Sequence, residues 1–199
     1  MQRFRFAFIA LIGLSRLSAS TVYTTGGTPV TYDTLNAWNI GPFSSFAAVA
    51  ETFTPTSTAI LGEIDVPVDQ ASGTGNLVVQ ILANGAGDTP GTVVESITMT
   101  VGTTRSLVAL QSSLHPTLQS GTKYWVDVTT TGSLTLNWFV ASDLNLRSTD
   151  MLFSGSWVAS SQSTKGAVGI LSQTIPEPST FAMAVLGIAL VVSRRLKSA

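Results

Sequence analysis

Between residues 21 and 174 the apolar positions fall in short runs with a period of two, and no stripe with a helical period persists. The clearest run is at residues 124–128. Tyr124, Val126 and Val128 share one face, and Trp125 and Asp127 share the other. Leu134, Leu136 and Trp138 repeat the pattern, opposed by Thr135 and Asn137, and Leu77, Val79 and Ile81 form a third apolar face. These runs are rich in Val and Thr and are punctuated by Gly, Pro, Asn and Asp, which is strand chemistry. Strands are expected at 46–53, 59–68, 76–82, 93–100, 106–110, 123–129, 134–140 and 167–171, with a short initial one near Val22 and Tyr23. Thr131-Gly132-Ser133 suits a hairpin turn joining the Tyr124 and Leu134 runs as an antiparallel pair. In the loop from Asn84 to Gly91, Pro90 fixes one turn dihedral and Gly91 is placed to take a positive φ. Residues 154–169 read either as hairpin loops or as a loose approach to the C-terminal segment. Eight or nine short strands predict an all-β fold, an antiparallel two-sheet sandwich of jelly-roll-like type.

The two ends break this pattern. Arg3 and Arg5 precede the apolar run Phe6 to Leu14, and Ser18-Ala19-Ser20 sets small residues at the −3 and −1 positions of a cut after Ser20. That arrangement predicts a secretory signal peptide over residues 1–20, removed by signal peptidase, although Arg16 interrupts the cleavage region. At the other end, the apolar run 181–192 is twelve residues long. It would span about 18 Å as a helix, against a hydrocarbon core of roughly 30 Å. Flanking residues extend it to a marginal membrane helix at about 179–196. A run this short also suits a buried core helix. Its terminal position, and Pro176 and Pro178 in front of it, favour the membrane. Arg194, Arg195 and Lys197 beyond it favour a cytoplasmic tip with the body outside.

Pro176-Glu177-Pro178, the apolar run, and Arg194-Arg195 occur in that order at the C-terminus. This tail, 175–199, resembles the PEP-CTERM sorting signal of exopolysaccharide-producing Gram-negative bacteria. The resemblance covers about 25 of the 199 residues. It implies export through the inner membrane and recognition by an exosortase, a membrane-bound cysteine protease-like enzyme. It also implies a final place in the envelope, at the cell surface or in the extracellular matrix. Pro176, Glu177, Pro178, Arg194 and Arg195 are then substrate determinants, not catalysts. The body, 21–174, resembles the choice-of-anchor R domain in Ala48–Phe53, in Asp88-Thr89-Pro90-Gly91 and in Gly121-Thr122-Lys123-Tyr124-Trp125-Val126. That resemblance implies surface display and no known reaction.

Charge is segregated. From Thr21 to Thr174 the chain holds ten acidic and four basic side chains, a formal charge of −6, whereas the whole chain carries −1. No basic stripe serves a nucleic-acid backbone. The absence of cysteine excludes thiol catalysis, cysteine-bound zinc and iron–sulfur centres.

Candidate chemistry is sparse. His115, the single histidine, lies near Ser112 and Ser113, but no Gly-x-Ser-x-Gly elbow accompanies it, and it precedes Pro116 in a loop. Glu63 and Asp65 share a strand face and are the best-spaced carboxyl pair for glycan hydrolysis. An acidic solvent face explains them equally well. Asn84 and Asp88, or Asp143, Asn145 and Asp150, are the candidate ligands of a structural calcium, without the spacing of a calcium-binding helix–loop–helix. No other cofactor is expected. Among the four tryptophans, Trp138 belongs with a core face, whereas Trp125 opposes one. Trp125 and Trp157 are therefore the candidates for a sugar-stacking platform. The expected role is a non-enzymatic structural or adhesive protein associated with exopolysaccharide. A carbohydrate-binding module is the main alternative, and a secreted hydrolase is a weaker one.

Overall fold

The computed structural model describes residues 19–25, 27–44, 46–143, 147–153 and 156–174, with backbone only at 147–153 and 161–163. Most of the expected signal peptide and all of the expected sorting tail, 175–199, lie outside these residues. Among the described residues no helix is long and apolar enough to cross a membrane. Ala19–Gln173 forms one compact unit.

That unit is all-β. Its strands are β1 (Thr21–Thr24), β2 (Tyr32–Ile40), β3 (Ala48–Phe53), β4 (Ala59–Ser72), β5 (Leu77–Asn84), β6 (Pro90–Met99), β7 (Ser106–Gln111), β8 (Thr117–Leu118), β9 (Tyr124–Thr130), β10 (Thr135–Ala141), β11 (Arg147–Phe153), β12 (Trp157–Thr164) and β13 (Gly169–Ser172). They make two antiparallel sheets. In the first the order is β1-β13-β4-β10-β2, with β7 on the free side of β4 and β8 paired to its start. In the second the order is β12-β11-β3-β9-β5-β6.

One core lies between the sheets. Ile64, Val66 and Val68 of β4 and Leu136 and Trp138 of β10 meet Val79 and Ile81 of β5 and Tyr124, Val126 and Val128 of β9. The period-two faces are therefore those the sequence marks. The connection between two of them differs. The expected hairpin at Thr131-Gly132-Ser133 is a crossing, because β9 lies in the second sheet and β10 in the first. Their apolar faces meet across the core instead of side by side. A second crossing, residues 73–76 between β4 and β5, runs beside it. Thr131 N donates to Asn76 O (2.9 Å), Ser133 N donates to Thr74 O (2.9 Å), and Thr131 Oγ1 accepts from Asn76 N (3.0 Å). The two arches approach so closely that a Cβ on Gly75, at φ +153°, would sit 1.9 Å from Thr131 O. Glycine is required there both by conformation and by space.

The β5–β6 hairpin forms as expected, but its positive φ values fall at Gly87 (70°) and Asp88 (61°). Pro90 and Gly91 already belong to β6. β2, β8, β11 and β12 were not expected as strands. Residues 157–164 pair with β11 as the outer hairpin of the second sheet.

Candidate functional site on the outer face of the second sheet

The outer face of β9 carries Trp125 and Asp127, as its alternation requires. Trp125 is nevertheless only 1% exposed. This corrects the expectation of an exposed Trp125 platform. The indole packs with Ala50 of β3 and Leu82 of β5, and its Nε1 donates to Asn84 Oδ1 at 2.7 Å. A sheet face opposite the core is open only if nothing folds over it, and period-two patterning carries no information on that. Trp157, at the start of β12, packs against this same cluster and is half-buried. It is the candidate tryptophan that keeps part of its ring in solvent.

Asp127 lies on a cross-strand row, flanked by Gln80 of β5 and Ala50 of β3. It is 4% exposed, and its Oδ1 is buried without a hydrogen-bond partner. The Gln80 amide donates away from it, to Ser96 Oγ (3.1 Å). Burial pushes the Asp127 carboxyl up to about 7. The sequence places Asp127 only as the neighbour of Trp125 on the polar side of its strand. Alternation places it on a face that ought to be wet, so only the cover above the sheet could have marked it.

At one end of the core Glu95 of β6 turns inward and is fully buried. It accepts hydrogen bonds from Ser112 Oγ (2.9 Å), Ser113 N (3.2 Å), Ser113 Oγ (3.3 Å) and Leu114 N (3.3 Å). Ser112 Oγ in turn accepts from the backbone N of His115 (2.9 Å), and the His115 ring Nδ1 lies 3.1 Å from Leu61 O. Acid, serine and histidine are thus adjacent, but the hydroxyl is not bonded to the imidazole. The group lacks the nucleophile–base contact of an acyl-transfer triad. It fastens a loop in which His115 sits at φ 48°. The expected result of His115→Ala is a loss of about 1 kcal/mol or less in unfolding free energy, with surface and binding properties unchanged. Denaturant unfolding and cell fractionation check it.

Glu63 and Asp65 do share the outer face of β4. Glu63 Oε2 accepts from Gln111 Nε2. Burial first, then the Glu63 charge and a hydrogen bond to Glu63, push Asp65 up to about 6. Carboxyls within hydrogen-bond reach are closer than either separation used by glycosidases, roughly 5–5.5 Å or 6.5–9.5 Å.

Of the calcium candidates, Asn84 and Asp88 are neighbours joined by a side-chain hydrogen bond, and both are engaged by other residues. Asp88 is tied to Lys123 Nζ (2.8 Å), and that hydrogen bond holds its carboxyl below the usual range. Asn84 Oδ1 is occupied by Trp125. Asp143 is exposed, and Asn145 and the side chain of Asp150 lie outside the described residues. Among the described residues no group of three or more His, Cys, Asp or Glu side chains is placed to hold a metal ion. Pro176, Glu177, Pro178, Arg194 and Arg195 lie outside them too.

No protein-family model matches this chain, and no curated protein does. Among solved structures, a family two carbohydrate esterase from Cellvibrio japonicus is similar over 80% of the chain, at 7% sequence identity and a TM-score of 0.30. The chain spans 36% of that protein's length. So slight a likeness assigns neither fold family nor activity.

Proposed function

We propose that this chain is an exported, non-enzymatic β-sandwich protein, delivered to the envelope or extracellular matrix by its two terminal segments. Signal peptidase removes the first, and an exosortase-like enzyme recognises Pro176-Glu177-Pro178 and the adjoining apolar run. The body then associates with exopolysaccharide as a structural or adhesive component. The jelly-roll-like reading of the body belongs to this proposal, supported by the repeated crossings between sheets.

The observation that carries the proposal is where the body begins and ends. β1 and β13 pair as neighbours, with Thr21 opposite Leu171 and Thr24 opposite Gly169. A cut after Ser20 leaves all of β1 in place, and the tail starts beyond the last residue of β13. Both addresses are therefore removable without taking a strand from either sheet. Cells expressing the protein with and without residues 176–178, followed by an internal tag, test the sorting. The expected result is a shortened product in the envelope or medium only when the motif is intact. Equal size and inner-membrane location for both forms would overturn it.

A second reading, carbohydrate binding, is favoured by one further observation. Trp157, half-buried, packs on the apolar cluster of Ala50, Leu82 and Trp125 on the outer face of the second sheet and keeps part of its surface in solvent.

A further inference from the structure

We infer that two copies of this chain associate side by side through β6 and β7. Each of these strands pairs with its own counterpart, so that both sheets run on into the second copy. The inference is independent of the sorting and carbohydrate readings.

Both strands end their sheets. Among the described residues β6 pairs only with β5, and β7 only with β4. An unpaired edge leaves a row of backbone N–H and C=O groups that another extended chain can take up, and proteins commonly blunt such edges with charge, proline or a break in register. β2, at the other side of the first sheet, is blunted in this way. Its register with β10 breaks between Phe139 and Ala141, and Thr34 O accepts from Arg105 Nη1. In β6 the register with β5 is unbroken from Glu95 to Met99, and the whole of β7 pairs in step with β4.

The two edges lie on one side of the sandwich, because Glu95 of β6 holds the loop that follows β7 through Ser112 Oγ (2.9 Å) and Ser113 N (3.2 Å). This side is uncharged and partly apolar. Between Thr89 and Thr122 the charged side chains are Glu95, fully buried, and Arg105, whose guanidinium lies back over the Phe139 ring of β10 at 4.7 Å. Of the seven large apolar side chains exposed among the described residues, Val93, Met99, Leu107 and Leu114 belong to β6, β7 or that loop. The acidic side chains that make the body negative therefore lie elsewhere, and two copies meet here without setting carboxylates against each other. The doubled edge selects the partner. Stacked sheets lie about 10 Å apart, so a lone extended peptide fills one edge and leaves the other bare. A second copy brings two edges at the same spacing. A two-fold axis along the sheet normal sets β6 against β6 and β7 against β7, both antiparallel, and closes the pair.

The chain has no cysteine, so single cysteines report contacts cleanly. The full chain, purified in mild detergent, carries Ser96→Cys, Leu107→Cys or Ala37→Cys and is treated with a short bismaleimide. Ala37 is exposed on β2, at the opposite side of the first sheet. Cross-linked dimer is expected from Ser96→Cys and from Leu107→Cys, at least tenfold above the yield from Ala37→Cys. Adding Thr98→Lys sets like charges on the two β6 edges and should lower the Ser96→Cys yield at least tenfold, with tryptophan fluorescence unchanged as the check on folding. Should Thr98→Lys disturb the fold, Ser106→Lys in the Leu107→Cys protein makes the same test on β7. Equal yields from all three cysteines, or a yield that the added lysine leaves within twofold, would overturn this face as the interface. Dimer from Ser96→Cys without dimer from Leu107→Cys would overturn the paired edges. No dimer from any variant at the highest soluble concentration would overturn self-association itself.

Discussion

Raising the pH from 5 to 8 lowers the unfolding free energy of the body by about 2–3 kcal/mol, and Asp127→Asn removes most of that slope. The sign follows from Asp127. Its carboxyl is neutral in the folded chain up to about 7, whereas in the unfolded chain it ionises near its ordinary 3.8. Between those values the unfolded state binds fewer protons, so stability is fully present below the unfolded value and is lost as pH rises toward 7. The gap is roughly three pH units, about 4 kcal/mol in all, and the window from pH 5 to 8 contains the larger part of it. Asp65, pushed up to about 6, adds a smaller effect of the same sign, since it is partly exposed and screened. Asp33, held low by its hydrogen bond from the Asn36 side chain, and Asp88, held low by Lys123, act with the opposite sign but below their ordinary values. They therefore lie outside the window. All four tryptophans lie in the body, so urea unfolding followed by their fluorescence reports this unit alone. At pH 8 the Asp127→Asn protein should be the more stable of the two. Midpoints that stay level from pH 5 to 8 would mean that water reaches the carboxyl and keeps it ionised.

The faces of the strands were legible in the sequence because they depend only on local alternation. Tyr124, Val126 and Val128 point into the core, and so do Leu77, Val79 and Ile81, as their spacing requires. Pairing was not legible. Thr131-Gly132-Ser133 has the composition of a hairpin turn, yet the same residues make an arch between sheets. What decides between the two is contact with residues 73–76, some 57 positions earlier, and no local signal carries that. β2 was missed because Tyr32–Ile40 mixes polar and apolar residues without a clean alternation, and most of it is exposed. It is held by its register with β10, Trp38 opposite Trp138.

The candidate site divides the same way. The sequence placed Trp125 and Asp127 on the correct face of β9. It could not tell that Trp157, some 30 residues later, packs on the cluster around Trp125. Burial of that face inverts the roles. The tryptophan proposed as a platform is buried, and Asp127, two residues along the same face, is buried with it. Glu95 makes the same point for the opposite face of β6. It lies on the inward side of its strand, where an apolar residue is the ordinary choice, and the loop that satisfies it comes from 112–114.

Glu95→Ala should therefore be among the most destabilising single changes in the body, at about 3 kcal/mol. Four donors lose a charged acceptor. Hydrogen bonds to charged groups contribute about 1.5–3 kcal/mol each. Not all of that is lost, because the loop is partly open to water. Leu114 is 70% exposed, so its N–H can be rehydrated. Ser112 is buried, so its hydroxyl cannot. The loss also reaches β4. Ser112 Oγ, positioned by Glu95, holds the N–H of His115 in a positive-φ conformation that a non-glycine residue adopts at a cost. On either side of that turn, Ser112 N donates to Gly62 O (2.8 Å) and Leu61 N donates to Pro116 O (2.9 Å). Glu95→Gln, which keeps the shape but turns an amide NH2 toward the donors, should cost about 2 kcal/mol. If the carboxylate acts through Ser112, the losses will not add. Ser112→Ala will cost far less in the Glu95→Ala protein than in the parent, and a double-mutant cycle on urea midpoints measures the coupling. A loss below about 1 kcal/mol for Glu95→Ala would assign the loop's stability to its two backbone bonds with Gly62 and Leu61 alone.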